Sequence, residues 1–364
     1  MPPFCDFTHG GECGIVTLHT RRVRRPLVNK DLAAFRRTFR QVHALSLNIM
    51  RQQLPRDDSF LREMMMSTIR GQVTADYAFV FQCAFCRRES DASKVNRLAA
   101  AVHLLQSSAF VTDDIFDRSD LRYGHAALYK EYGVSNAIIA TELMQSAALG
   151  AVSQELRRGD FANTLSVMEI FNRVVFDLYL GQYLDVSNTG NLKMTLRQYH
   201  RVIALGVGKY FEQMAKCGAL LANKASSEVQ SLVRYGYHYG MALFITDDIV
   251  DITNMPAETG KSYGCDLVNR RMRMPVMLAL HLAPPRDAKF LRGYMTADSS
   301  CHGVLRQTVR IIERAGALAE CKKAAHRHVT QSLAALRPLV QTVPVRRLAW
   351  LSQTLLRAQG LDSV

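Results

Sequence analysis

No apolar run in the chain reaches the ~18–20 residues that a membrane-crossing helix needs, so a transmembrane anchor is not expected. The N-terminus lacks the charged start, apolar middle and small-residue cleavage site of a secretory signal. The expected compartment is the cytoplasm, although the basic, acid-poor residues 1–30 leave organelle targeting open. The eight cysteines are scattered, and several sit in apolar helical stretches where a free thiol behaves as a small core residue, as in a reducing compartment. Cys83 and Cys86 form a lone CxxC with no second pair and no histidine pair at zinc spacing, so core packing is the expected role. The phosphate-cradling loop of P-loop enzymes and the glycine spacing of a dinucleotide fold are both missing, which removes the common nucleotide chemistries. There is no Pro/Gly/Ser-rich linker, no helical repeat of about 30–45 residues, and no alternation of apolar and polar residues bounded by hairpin turns.

What the chain does have is length and helical periodicity. Its 364 residues, 48% of them hydrophobic and 21% charged, can bury a large core without staples. Apolar residues recur at three and four spacing from about Leu32 to Leu356, punctuated by Pro55, Gly124, Gly133, Gly159, Pro256, Gly260, Pro284 and Pro285. The expectation is an all-α fold: a basic arm over residues 1–30, then one domain of about ten core helices over residues 31–364. One of these helices is expected from Asn136 to Arg158, capped by Ser135 or Asn136, ended by Gly159, and buried along Ile139, Leu143, Ala147 and Ala151. The net charge of +14 fits a nucleic acid, an anionic membrane surface or small polyanionic substrates. Its densest run, Arg21, Arg22, Arg24 and Arg25, has no interleaved aromatics and reads as a solvated arm, so nucleic acid is not an expected partner.

One internal echo carries the chemistry. Phe110–Asp117 (FVTDDIFD) and Phe244–Asp251 (FITDDIVD) agree at six of eight positions, 134 residues apart. On a helix, Asp113 and Asp117 lie four apart on one face with Asp114 beside them, and Asp247, Asp248 and Asp251 repeat the pattern. A single acidic triplet would be an ordinary solvated face. Two copies embedded in apolar surroundings are different, because clustered carboxylates repel one another unless cations sit between them. Hard oxygen donors without His or Cys select Mg²⁺, which commonly bridges carboxylates to phosphate oxygens. The expected ligand is therefore a diphosphate, with Arg122 and Lys261 placed after the two segments as fixed positive charge.

With these residues the chain resembles the trans-isoprenyl diphosphate synthases and the terpene synthases derived from them, from about residue 31 to the C-terminus. The match covers Asp113-Asp114-Ile115-Phe116-Asp117, then Gly181-Gln182-Tyr183-Leu184-Asp185, Lys209, Asp247-Asp248-Ile249-Val250-Asp251, Lys261, and Gly264-Cys265-Asp266-Leu267 through Met274-Pro275. The resemblance implies three Mg²⁺ held at the mouth of an apolar cavity, with Asp113, Asp117, Asp247 and Asp251 as their ligands. It also implies an allylic prenyl diphosphate of C10 to C20 as substrate, and Lys209, Lys261 and Arg122 as neutralisers of the departing diphosphate. Gln182 and Asp185 would support the upper cavity and Gln106 would lie in the isopentenyl site. Ser108 and Ala109, both small, would leave the pocket below the first segment deep. A homodimer is the expected assembly.

The isopentenyl half departs from the family pattern. The upstream GKxxR reads Gly71-Gln72-Val73-Thr74-Ala75 and the Arg-Arg pair reads Arg122-Tyr123, while Tyr210 and Phe244 replace a threonine and a glutamine near the reacting carbons. Each missing cation removes charge-assisted hydrogen bonds of roughly 1.5–3 kcal/mol. The expected reaction is therefore Mg²⁺-dependent ionisation of the allylic diphosphate with a terpene outcome. The alternative is a chain-elongating trans-prenyltransferase using Arg70 or the Arg270-Arg271-Met272-Arg273 run as substitute cations. A third reading, a non-catalytic subunit of a heteromeric synthase, sits poorly with six retained acids.

Overall fold

The structure, a computed structural model, describes residues 30–72, 74–253, 263–297 and 302–358. The basic arm lies outside the described residues apart from Lys30, as does Lys261. The described residues form α1 (Lys30–Gln53), α2 (Ser59–Ser67), α3 (Asp76–Phe85), a 3₁₀ segment (Glu89–Val95), α4 (Asn96–Phe116), the two-residue strands β1 (Leu121–Arg122) and β2 (His125–Ala126), α5 (Leu128–Tyr132), α6 (Val134–Arg158) and α7 (Thr164–Ser187). After α8 (Leu196–Ile203) comes a π-helical turn (Ala204–Gly208) that runs into α9 (Lys209–Leu221) and then α10 (Ser226–Thr253). The chain closes with α11 (Cys265–Val268), α12 (Met274–Leu282), α13 (Pro285–Thr296), α14 (His302–Arg314), α15 (Ala317–Leu336) and α16 (Val343–Ala358). The fold is all-α as expected, divided more finely than ten helices because short elements such as α5 and α11 join the long ones.

Local signals set several boundaries. Asp58 caps α2 by accepting from the Leu61 N–H at 2.8 Å, Thr195 and Gln198 form a capping box on α8, and Pro275 sits in the first turn of α12. The start of α6 is a correction. It begins at Val134 after Gly133, whose φ of +85° lets the chain turn directly out of α5, and Asn136 instead donates to the Tyr132 carbonyl at 2.9 Å. Its expected apolar stripe is also only half right: Ala147 and Ala151 are buried, whereas Ile139 and Leu143 face outward, and Ala137, Ala140, Met144 and Ala148 fill the inner face.

The 28-residue α10 is the axis of the molecule, packed along α9 and α15, while α4 packs along α6 and α1. Between them α3 approaches α9 so closely that a Cβ on Gly218 would lie 2.3 Å from the Phe81 carbonyl oxygen. Cys83 and Cys86 are buried free thiols of this core. The two acidic segments thus end α4 and α10, the first on the apolar cluster that includes Phe79, Phe81, Phe211, Tyr235 and Tyr239, the second on another cluster through Ile245, Ile249 and Ile252. Among the described residues, no helix is long and apolar enough to cross a membrane.

Candidate active site

Carboxylates at helix C-terminal ends meet the negative end of the helix dipole, so both acidic segments need positive partners. The first finds Arg122. Its Nε donates to both oxygens of Asp114, at 2.9 and 3.1 Å, and its Nη2 reaches Asp113 Oδ2 at 3.2 Å. The β1–β2 hairpin positions this guanidinium by turning through Tyr123 and Gly124, both at positive φ, and the Phe110 ring lies 5.2 Å beneath it. Asp114 is buried while the Asp113 side chain stays 36% exposed, so Asp114 anchors the segment and Asp113 is open to a ligand. Burial alone would lower the Arg122 pKa, but Asp114 and Asp113 raise it, and the guanidinium stays charged.

The second segment uses a different set of partners. Asp248, equally buried, accepts from Tyr199 Oη at 2.6 Å and from the Met274 N–H at 3.4 Å, with Arg273 Nε 3.7 Å away. Asp251 accepts from the N–H groups of Cys265 and Asp266, at 3.1 and 3.2 Å, which fixes the start of α11.

Two arginines then join the segments. Arg271 places Nε and Nη2 on Asp117 Oδ1, at 3.0 and 2.6 Å, and its Nη1 lies 3.6 Å from Asp185 Oδ2. Arg273 Nη1 takes Asp185 Oδ1 at 2.6 Å, and its Nε lies 3.0 Å from Asp266 Oδ1. The Arg270–Arg273 run is thereby engaged with carboxylates and carbonyls, Arg270 pairing with the Leu267 carbonyl. Burial, then Asp113, push the Asp117 carboxyl up, and Arg271 opposes them.

Other expected residues fall around this frame. Lys209 follows the π-helical turn, half exposed, with Nζ 3.9 Å from Asp177. Gln182 and Gln106 each keep a buried side-chain atom without a hydrogen-bond partner, and Ser108 is fully buried with its hydroxyl on the Leu105 carbonyl, beside the half-buried Ala109. Tyr210 donates to the Val102 carbonyl at 3.1 Å and leans on Tyr77, while the Phe244 ring lies 5.2 Å from the Arg273 guanidinium. A pocket beside the first segment is lined by Arg70, Gln72, Phe110, Asp114, Arg122, Tyr123 and His125. Behind its lining, Ser107 Oγ donates to Gln72 Oε1 at 2.8 Å, leaving the buried Gln72 Nε2 unpaired.

Sequence reasoning missed three participants. Tyr199 and His125 belong to no acidic motif. Asp76 opens α3 with a buried Oδ1 that has no hydrogen-bond partner. Burial, then the charge of Asp247, raise its carboxyl to about 7. The one available signal was an acid at position 76, immediately after a stretch where the family pattern places cations.

These residues fit a hard divalent cation. The donors are carboxylate oxygens alone, and Asp76 keeps an orphaned oxygen within electrostatic reach of Asp247. Among the described residues no three His, Cys, Asp or Glu converge closely enough to hold an ion by themselves, so its remaining positions would fall to water and phosphate oxygens, the habit of Mg²⁺.

Comparison with known proteins agrees with the fold. The chain is 24% identical over 245 residues to an octaprenyl diphosphate synthase of Escherichia coli K12, covering 67% of this chain and 73% of that one. It superposes with a TM-score of 0.80, at 20% identity, on a geranylgeranyl pyrophosphate synthetase of Pyrococcus horikoshii, covering 93% of this chain and 99% of the other. It also superposes with a TM-score of 0.77, at 21% identity, on a geranylgeranyl pyrophosphate synthase of Corynebacterium glutamicum solved with isoprenyl diphosphate and magnesium, covering 90% of this chain and 99% of that one. The terpene outcome finds no support among these relatives. With the Polyprenyl synthetase family model matching residues 60–312, the chain belongs to the polyprenyl synthetase family.

Proposed function

We propose that the protein is a chain-elongating trans-prenyltransferase that condenses an allylic prenyl diphosphate of C10 to C20 with isopentenyl diphosphate. The observation that carries this reading is the pocket beside the first acidic segment, where Arg70 stands with Arg122 near the positions of the missing lysine and arginines and His125 adds a polar ring to the lining. The absent GKxxR and Arg-Arg cations favoured ionisation alone, but a guanidinium returns to the pocket from Arg70, just past the end of α2, where it pairs with Glu131 and would exchange that partner for a diphosphate. Residues 31–364 act as one helical domain in this reading.

Mg²⁺, three ions by the family pattern, would be held through Asp113, Asp117, Asp247 and Asp251 and would supply charge stabilisation for the departing diphosphate. The chain's own groups do the rest. Lys209, Lys261 and Arg122 present fixed positive charge to the leaving group, a preorganised arrangement that is worth most where water is excluded. Arg122 does so while holding Asp113 and Asp114 in place. Asp185 and Gln182 line the upper wall, and the buried face of α4 at Ser108 with Ala109 makes room for the prenyl chain. Gln72, Gln106, Tyr123 and Arg70 would orient the second diphosphate. The outward apolar residues Ile138, Ile139 and Leu143 of α6 and Phe176 and Tyr183 of α7 suit burial against a second copy of the chain, a homodimer that light scattering would detect.

The experiment is incubation of the purified protein with Mg²⁺, C10, C15 or C20 allylic diphosphates, and labelled isopentenyl diphosphate. Label in a longer prenyl diphosphate is expected. A hydrocarbon or alcohol made from the allylic diphosphate alone, with no label transferred, would return the terpene reading.

A further inference from the structure

Arg273 is surrounded by acids and touches none of the four carboxylates assigned to metal. It is 8% exposed. Its Nη1 lies 2.6 Å from Asp185 on α7, its Nε 3.0 Å from Asp266 on α11 and 3.7 Å from Asp248 on α10, and the Phe244 ring of α10 lies 5.2 Å away. One guanidinium thus meets three separate helices at the point where the second acidic segment begins. Through Asp185 it continues to Arg271 and Asp117, so an alternating chain of charges runs from one acidic segment to the other.

We propose that Arg273 is the fixed cation of the second acidic segment: a positioning residue that holds Asp248, Asp185 and Asp266 in register and sets how tightly the neighbouring Asp247 and Asp251 take divalent metal. The inference rests on the metal-binding reading above and adds a role to a side chain outside the aspartate motifs. Two physical effects follow. A permanent positive charge beside the segment lowers its attraction for a second cation, so removing that charge must tighten metal binding. The planar guanidinium also engages Asp185 and Asp266 together, the first through a hydrogen bond from Nη1 and the second as an ion pair at Nε, which a single ammonium cannot do at fixed geometry.

The test uses the full-length protein and Mn²⁺ titrated without substrate, bound ion being read by electron paramagnetic resonance. Arg273→Gln should bind Mn²⁺ about tenfold more tightly than the parent, while kcat with saturating Mg²⁺ falls about a hundredfold. Arg273→Lys should keep the Mn²⁺ affinity within about threefold, because the charge remains, and lose about tenfold in kcat, because the fork is gone. A merely structural residue would lower kcat and metal affinity together. Equal or weaker Mn²⁺ binding in Arg273→Gln overturns the proposal. Should that variant fail to fold by circular dichroism, a parent-like kcat in Arg273→Lys overturns it instead. Failure of the parent to bind Mn²⁺ would sink the metal-binding reading and this inference with it, whereas a parent that binds and a glutamine variant that does not differ sinks this inference alone.

Discussion

The segments ending α4 and α10 are nearly the same eight letters, yet they are held by different chemistry. In the first, the second aspartate is gripped by the two-pronged guanidinium of Arg122, delivered by a hairpin eight residues later. In the second, the equivalent aspartate is held by a neutral phenol from α8, 49 residues upstream, and by a backbone N–H, with an arginine at longer range. The third aspartates differ as well, Asp117 meeting an arginine and Asp251 two peptide N–H groups. A repeated motif therefore specifies which oxygens are offered to a ligand, and leaves open how the protein compensates them.

The largest effect should be the one the two segments share. Asp113→Ala and Asp247→Ala are each expected to lower kcat/KM by about a thousandfold, roughly 4 kcal/mol of barrier, with the far-ultraviolet circular dichroism unchanged. A loss below about tenfold in either variant would break the equivalence.

Stability should then separate the segments. Arg122→Met leaves Asp114 buried without its cation, a change that costs about 3–5 kcal/mol. Tyr199→Phe removes one hydrogen bond to a charged group and leaves Asp248 beside Arg273, at about 1.5–3 kcal/mol. Urea unfolding measures both, and equal losses would mean that the difference in partners has no energetic content.

Asp76 sharpens the contrast, because it stands against the second segment through Asp247. Its carboxyl, ordinarily near 3.8, is raised to about 7 in the fold. Between these values the folded protein keeps a proton that the unfolded chain has released, so metal-free stability falls as the pH rises from about 4 to 7. At about 1.4 kcal/mol per unit the fall is at most about 4 kcal/mol. Asp76→Asn should flatten that slope in urea titrations at pH 5 and pH 8; an unchanged slope would place the charge elsewhere.

The smallest expected effect concerns the pocket that only the first segment borders. Arg70→Gln should raise KM for isopentenyl diphosphate about tenfold, worth about 1.4 kcal/mol, and leave KM for the allylic diphosphate unchanged. An equal rise in both would remove Arg70 from the isopentenyl side.

What could be read in advance followed from local order. Helical periodicity predicts an all-α chain, and the doubled acidic segment, GQxxD and Lys209 predict one site, because each signal lies within one helix turn or one motif. The partners of those acids were not legible, since Tyr199 with Asp248 and Arg271 with Asp117 are brought together by tertiary packing over 49 and 154 residues. The arginine run illustrates the limit: its charge was visible as a candidate for diphosphate, but its four acidic neighbours were not. Ile139 and Leu143 failed for a related reason, because an apolar stripe on α6 has the same period whether it faces its own core or outward.

The π-helical turn at Ala204–Gly208 has a consequence for how this site came about and how it could be undone. A π turn is one residue inserted into an α-helix and absorbed by widening a single loop of backbone. Here it is locked in place by bare backbone, since a Cβ on Gly181 would lie 2.8 Å from the Gly206 nitrogen and one on Gly240 2.9 Å from the Gly208 Cα. Every side chain beyond the insertion is rotated by about 100° relative to an uninterrupted helix, and the first of them is Lys209. Deleting one residue, Val207 for example, would keep the composition, the motifs and most of the helix. It would also swing the lysine to another side of its helix, so in this protein a deletion one residue long reaches the active site without touching any residue that acts in it.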